Sequence, residues 1–186
     1  KAAEAVRLQN ETRGARLLVE SVFPVLWHPL AAAGVTLCPK LLKEDVHPVV
    51  LAQALGAAKQ YDAELWFSPD FWYLGRFPGH TPEEYQWALD IAWKTGVDNV
   101  YTEHQMALAR LIGPDCDITP WGEVLQDSIA AHPDPAVRGY TYRDVRPEVA
   151  IIRFPDSDWG QAAASYWDML YGGEDLHSTP ATREWM

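Results

Sequence analysis

Two acids, each placed just past a short apolar run, carry the clearest chemistry in this sequence. Asp70 closes ELWFSPD and Glu103 closes VDNVYTE. The runs before them, residues 64–68 and 98–102, read as strands. In parallel α/β sheets, ligands bind beyond the carboxyl ends of the strands. Trp66, Phe71, Trp72, Tyr73 and Tyr101 flank the two acids. Aromatic faces stack on the C–H faces of sugar rings. A carboxylate pair supplies acid, base or nucleophile at a glycosidic bond. The expectation is a sugar site with Asp70 and Glu103 as its catalytic carboxylates. Plainer roles stand beside it, because an acid at a strand end can be a loop cap and strand aromatics can be core.

Further groups join these as substrate-binding candidates. Glu20 lies inside the strand-like run ARLLVESVF, residues 15–23. A buried acid there needs a partner, so Glu20 is either a paired core acid or a third carboxylate of the site. Lys40, in PKLLKE, either holds a substrate group or forms a solvated surface pair. His80 and His104 sit in PGHTPEE and YTEH, and with Trp66, Trp72, Tyr73 and Tyr101 they complete the candidate set. Cys38 and Cys116 have no metal-type spacing around them and read as two buried free thiols. No metal and no cofactor is expected.

These residues need elements to position them. Thr81-Pro82-Glu83-Glu84 has the grammar of a helix start, with an N-cap, a proline in the first turn and a capping-box acid. Tyr85, Leu89, Ala92 and Trp93 then share one helical face, and Gly96 is a natural stop. Residues 64–102 thus form one strand–helix–strand unit, whose crossover should be right-handed. Upstream, residues 1–13 read as a helix ended by Gly14. Residues 24–39 read as a loop or a short helix through 30–33, and residues 46–61 as a helix rich in small apolar side chains. Downstream, a short helical piece over 105–111 and a helix over 119–131 are predicted. A Pro/Gly-rich linker, a nearly continuous apolar strand over 148–154 and a helix over 161–170 follow.

Composition narrows the function classes. The chain has 186 residues, 48% of them hydrophobic, enough to bury a core. Its net charge is −11, which makes nucleic acid and anionic membrane surfaces poor partners. No apolar run reaches the length of a membrane span. Nine Trp are an excess that suits sugar stacking or a large aromatic core. The chain begins at Lys1 and ends at Met186, with no signal-peptide pattern, and reads as a fragment of a longer protein. The cytoplasm is slightly favoured over export. A homo-oligomer, if one forms, would assemble through the full-length protein.

Three motifs carry a family resemblance: GAAKQYDAELWFSPDFW (56–72), FPGHTPEEYQWAL (77–89) and VDNVYTEH (97–104). Together they resemble the last three βα units of a bacterial (β/α)8-barrel glycoside hydrolase. TPWGEVLQDSIAAHPDP (119–135) resembles the final barrel helix of such enzymes, and RPEVAIIRFPDSDWG (146–160) the strand opening a Rossmann-like domain. This is the layout of thermophile-type beta-galactosidases. The resemblance implies an α/β fold, a partial (β/α)8 (TIM) barrel followed by the start of a second α/β domain. The divisions would be 1–135 for the barrel part, 136–147 for a linker and 148–186 for the second domain. In retaining barrels of this kind the nucleophile is a Glu at the end of strand seven, where this numbering of strands gives Asp70, and the acid/base is a Glu after strand four, which the resemblance places in the half of the barrel outside this sequence. The implied function is hydrolysis of glycosidic bonds in a carbohydrate substrate by a carboxylate pair. A non-catalytic α/β sugar-binding module and an unrelated doubly wound α/β domain are the alternatives.

Overall fold

The computed structural model describes residues 2–14, 16–22, 27–41, 49–72, 76–112 and 115–149. The chain divides into two compact units, Lys1–Arg146 and Pro147–Met186. The strand expected over 148–154, the helix over 161–170 and the candidate Tyr73 lie outside the described residues.

The first unit is α/β, as the pattern predicts. Helix α1 (Ala2–Arg13) leads into strand β1 (Leu18–Ser21). Then come α2 (Trp27–Ala32), β2 (Thr36–Leu41), α3 (Val49–Tyr61), β3 (Trp66–Pro69), α4 (Pro82–Thr95) and β4 (Asn99–Val100). The four strands form one parallel sheet in the order β1-β2-β3-β4. Strand β2 corrects the sequence reading, which left residues 34–39 as loop. Pro39 explains the miss, because a strand proline removes a ladder donor. The β2–β3 ladder shows the gap: Leu37 pairs with Leu65, and pairing resumes only at Lys40 with Ser68.

The sheet's two faces differ in chemistry. Side chains alternate along a strand. Leu37, Leu41, Leu65 and Phe67 point to one face. There they pack with Trp27 and Ala31 of α2, Leu51, Ala54, Ala57 and Ala58 of α3, and Ala88 and Ala92 of α4. The small residues of α3 and α4 let the helices approach closely. Glu20, Cys38, Lys40, Trp66 and Ser68 alternate onto the opposite face. All three connecting helices therefore cover one face and leave the polar residues to the other.

Helix α4 begins as its sequence demands. Thr81 accepts from Glu84 N, the Glu84 side chain accepts from Thr81 N, and Gly96 closes the helix in the left-handed conformation. After β4 the expected helical piece is only one 3-10 turn, Gln105–Ala107. An antiparallel hairpin follows instead, β5 (Ala109–Ile112) with β6 (Asp115–Ile118). Residues 105–111 are mostly good helix formers, and most of the hairpin is exposed, so burial supplies no alternation to read. Cys116, expected to be buried, is exposed on β6, whereas Cys38 is buried. Helix α5 (Pro120–Ala131) packs on α4 through Trp121, Val124 and Leu125, around Phe71, Tyr85 and Leu89.

Residues 136–146, which read as a linker, belong to the first unit and lie against the amino-terminal edge of its sheet. Tyr142 is fully buried, donates its backbone N–H to Gly96 O and its hydroxyl to Ala63 O. Lys59 of α3 donates to the carbonyls of Tyr142, Arg143 and Val145. Among the described residues no helix is long and apolar enough to cross a membrane.

Candidate active site

The carboxyl ends of the four strands bring an acid–base cluster together. Lys40, near the end of β2, is its centre. Its ammonium lies 2.9 Å from Asp70 Oδ2, 2.5 Å from Glu103 Oε2 and 3.4 Å from Glu20 Oε1. Glu20 comes from β1, Asp70 follows β3 directly, and Glu103 follows β4 by three residues. Lys40 is not a solvated surface pair: its side chain is only 12% exposed and pairs with three acids. Glu20 is likewise a paired acid of the cluster.

Each acid has its own surroundings. Asp70 is completely covered, and its Oδ1 accepts from Trp72 N at 3.0 Å, so both its oxygens are engaged. Glu20 Oε1 also accepts from Ser68 Oγ at 2.7 Å. Glu103 is the most open of the three, one-third exposed, with His104 Nε2 3.6 Å from its Oε2. Burial pushes the Lys40 ammonium toward losing its proton, but the hydrogen bonds to Glu103 and Asp70 and the nearby charges outweigh it and hold the group protonated.

Beneath the cluster, Cys38 shares the face of Glu20 and Lys40. Burial, reinforced by Glu20 and opposed by Lys40, pushes its thiol up to about 12. The thiol is thus folded in as a neutral group. A raised value contributes stability that is complete below the unfolded thiol's ~8.5 and is lost as pH climbs toward the folded value. Wild type should therefore lose stability relative to Cys38→Ala between about pH 8.5 and pH 11. Denaturant melts at both ends of that window read the difference, and a gap independent of pH would contradict it.

An aromatic group borders the acids. Trp72 meets Phe77 at 5.0 Å and His104 edge-on at 5.3 Å, and Phe77 meets His104 at 5.0 Å. Trp72 Nε1 donates to His104 Nε2. His80 lies behind this group, not among the acids. It is buried, its Nδ1 is 3.2 Å from Glu84 Oε2, and its Nε2 is 3.2 Å from Trp72 O. Its place supports the Trp72 backbone. Trp66 is half-buried on the polar face, two residues below Ser68. Tyr101 is exposed beside β4, its N–H bonded to Phe67 O. Ser68 and Phe77 were not legible as site residues. Ser68 could have been found as the residue two before Asp70, on the same face of a strand.

The donor set has a second capacity. Asp70, Glu103 and His104 each offer a ligand atom, all within 4.8 Å of one another, a spacing that a cation could bridge. Lys40 already presents its charge to both of these carboxylates. The chain matches no protein-family model, no curated protein and no solved structure.

Proposed function

We propose that this chain carries the catalytic site of a carbohydrate-active enzyme that hydrolyses glycosidic bonds, built on part of a (β/α)8-barrel wall. The observation that carries the reading is the Asp70–Glu103 pair, whose oxygens approach within 4.8 Å at the carboxyl rim of adjacent parallel strands. Separations of about 5–5.5 Å accompany retention of configuration, and larger ones leave room for a water and accompany inversion. The close pair supports retention.

In this reading Asp70 is the nucleophile, because it directly follows β3 and its orientation is fixed by Trp72 N and Lys40. Its carboxylate bonds to the anomeric carbon as the glycosidic C–O bond breaks. Glu103, the open acid on the rim, gives a proton carried on its Oε1 to the departing oxygen while its Oε2 still accepts from Lys40. Glu103 then takes a proton from water, whose oxygen displaces Asp70 from the anomeric carbon and restores both acids. Trp72 and His104 wall the sugar. The barrel reading is supported by sequential strand order and by helices confined to one face, where a doubly wound domain would have them on both. It is also supported by convergence. The outer strands are three spacings of ~4.8 Å apart, yet acids from both reach one ammonium, as a concave face allows.

One observation favours a second reading. Lys40 stands between the two acids, and a cluster of ammonium and carboxylates can simply bind sugar hydroxyls without reaction. A panel of aryl glycosides and oligosaccharides separates the two, followed by tryptophan fluorescence for binding and by released product for turnover. Turnover with retained configuration is the expected result. Binding without turnover would establish the binding module, and neither would remove both readings.

A further inference from the structure

Three carboxylates facing one ammonium is the densest charge feature among the described residues. Two of the three N–H donors of Lys40 go to Asp70 and Glu103, and Glu20 lies at ion-pair distance, 3.4 Å away. Without the cation, three acids from three strands would face one another across a few ångströms in a largely covered site. Each acid has a different second hold. Asp70 has Trp72 N and Glu20 has Ser68 Oγ, whereas among the described residues Glu103 has His104 nearby at 3.6 Å and no second hydrogen bond. The cluster is therefore assembled through the ammonium, and Glu103 depends on it most.

We infer that Lys40 is the positioning residue of this site: its ammonium is the shared counter-ion that holds Glu20, Asp70 and Glu103 at working separation. The catalytic half of this inference rests on the glycosidase reading, and the structural half does not. Lys40 touches the acids and acts through them, and it forms no covalent bond in the reaction.

The test replaces the side chain and supplies the cation from solution. Lys40→Ala leaves a space that methylammonium can enter with its N–H donors, whereas tetramethylammonium carries the same charge and no donor. Melts of wild type and Lys40→Ala are recorded in equal concentrations of the two chlorides. Wild type should respond alike to both salts. Lys40→Ala should melt lower and recover with methylammonium alone. In turnover, Lys40→Ala should lower kcat by on the order of 10²-fold, the effect of misplaced catalytic groups. KM should change less, and methylammonium should restore kcat. Lys40→Arg should retain more activity than Lys40→Met.

A second variant keeps the inference exposed if Lys40→Ala fails to fold. Lys40→Met crowds three acids with no cation, so adding Glu20→Gln should raise its melt, although Glu20→Gln alone lowers that of wild type. Equal recovery with both salts, a folded Lys40→Ala with wild-type melt and kcat, or a double variant no better than Lys40→Met would each overturn the inference. Amine-specific recovery of the melt with no turnover on any glycoside would keep it and remove the glycosidase reading. Normal turnover in Lys40→Ala would do the reverse.

Discussion

Asp70→Asn should lower kcat by roughly 10³-fold or more, in line with loss of a catalytic nucleophile, while the protein stays folded. The substitution keeps the volume of a fully covered side chain. The Asn carbonyl can still accept from Trp72 N, as Asp70 Oδ1 does at 3.0 Å. What changes is the other end, where an amide NH2 replaces the oxygen that accepts from Lys40 at 2.9 Å. Breaking a buried ion pair outright costs ~3–5 kcal/mol. Here Lys40 keeps Glu20 and Glu103, so the cost should be about 1–3 kcal/mol. A melt therefore shows a moderate loss, and at a temperature where both proteins are folded the whole activity difference belongs to chemistry. Activity that falls only in proportion to the unfolded fraction would make Asp70 a structural acid and end its assignment as nucleophile.

The two acids were legible because strand ends are legible. Pro69 after an apolar run, and the capped helix from Pro82 to Gly96, fix where the first strand stops and where the second must start. Lys40 stood in view as a residue but not as a place. Its strand contains Pro39, and a rule that a central strand excludes proline is right on average and fails here. The ladder tolerates one missing donor because β2 also pairs with β1 from Leu18 through Ser21. Without β2 the lysine has no side to point from, and the convergence of Glu20, Asp70 and Glu103 cannot be seen. The hairpin was hidden for another reason. Leu111 and Ile112 are exposed, so helix-forming composition met no burial pattern to overrule it, and only tertiary context such as Thr119 N bonding Leu108 O sets the pairing.

The strap over 136–146 hid behind its composition, and it gives the largest expected effect on stability, through Gly96→Ala. Gly96 has φ +83°, which alone costs a non-glycine residue ~1 kcal/mol. The added Cβ would also lie 2.5 Å from Tyr142 N and 2.6 Å from Thr141 C. These are backbone atoms, and Tyr142 N is itself bonded to Gly96 O at 2.8 Å, so the strap must lift. Lifting it uncovers the fully buried Tyr142 ring, takes its hydroxyl from Ala63 O and strips carbonyl partners from Lys59. Removal of a large buried aromatic costs about 3–5 kcal/mol, and Gly96→Ala should approach that figure, lowering Tm by on the order of 10 °C. Gly139→Ala is the internal control. Gly139 has φ +76° and nothing within 4 Å of its would-be Cβ, so it should show the backbone cost alone. The strap braces the starts of β3 and β4, and the acids stand at the opposite ends of those strands. Turnover per folded molecule should then survive Gly96→Ala, as stability features at the amino-terminal face of a parallel sheet and chemistry at the carboxyl face would have it. Equal melts for the two alanine variants would mean that the strap does not rest on Gly96.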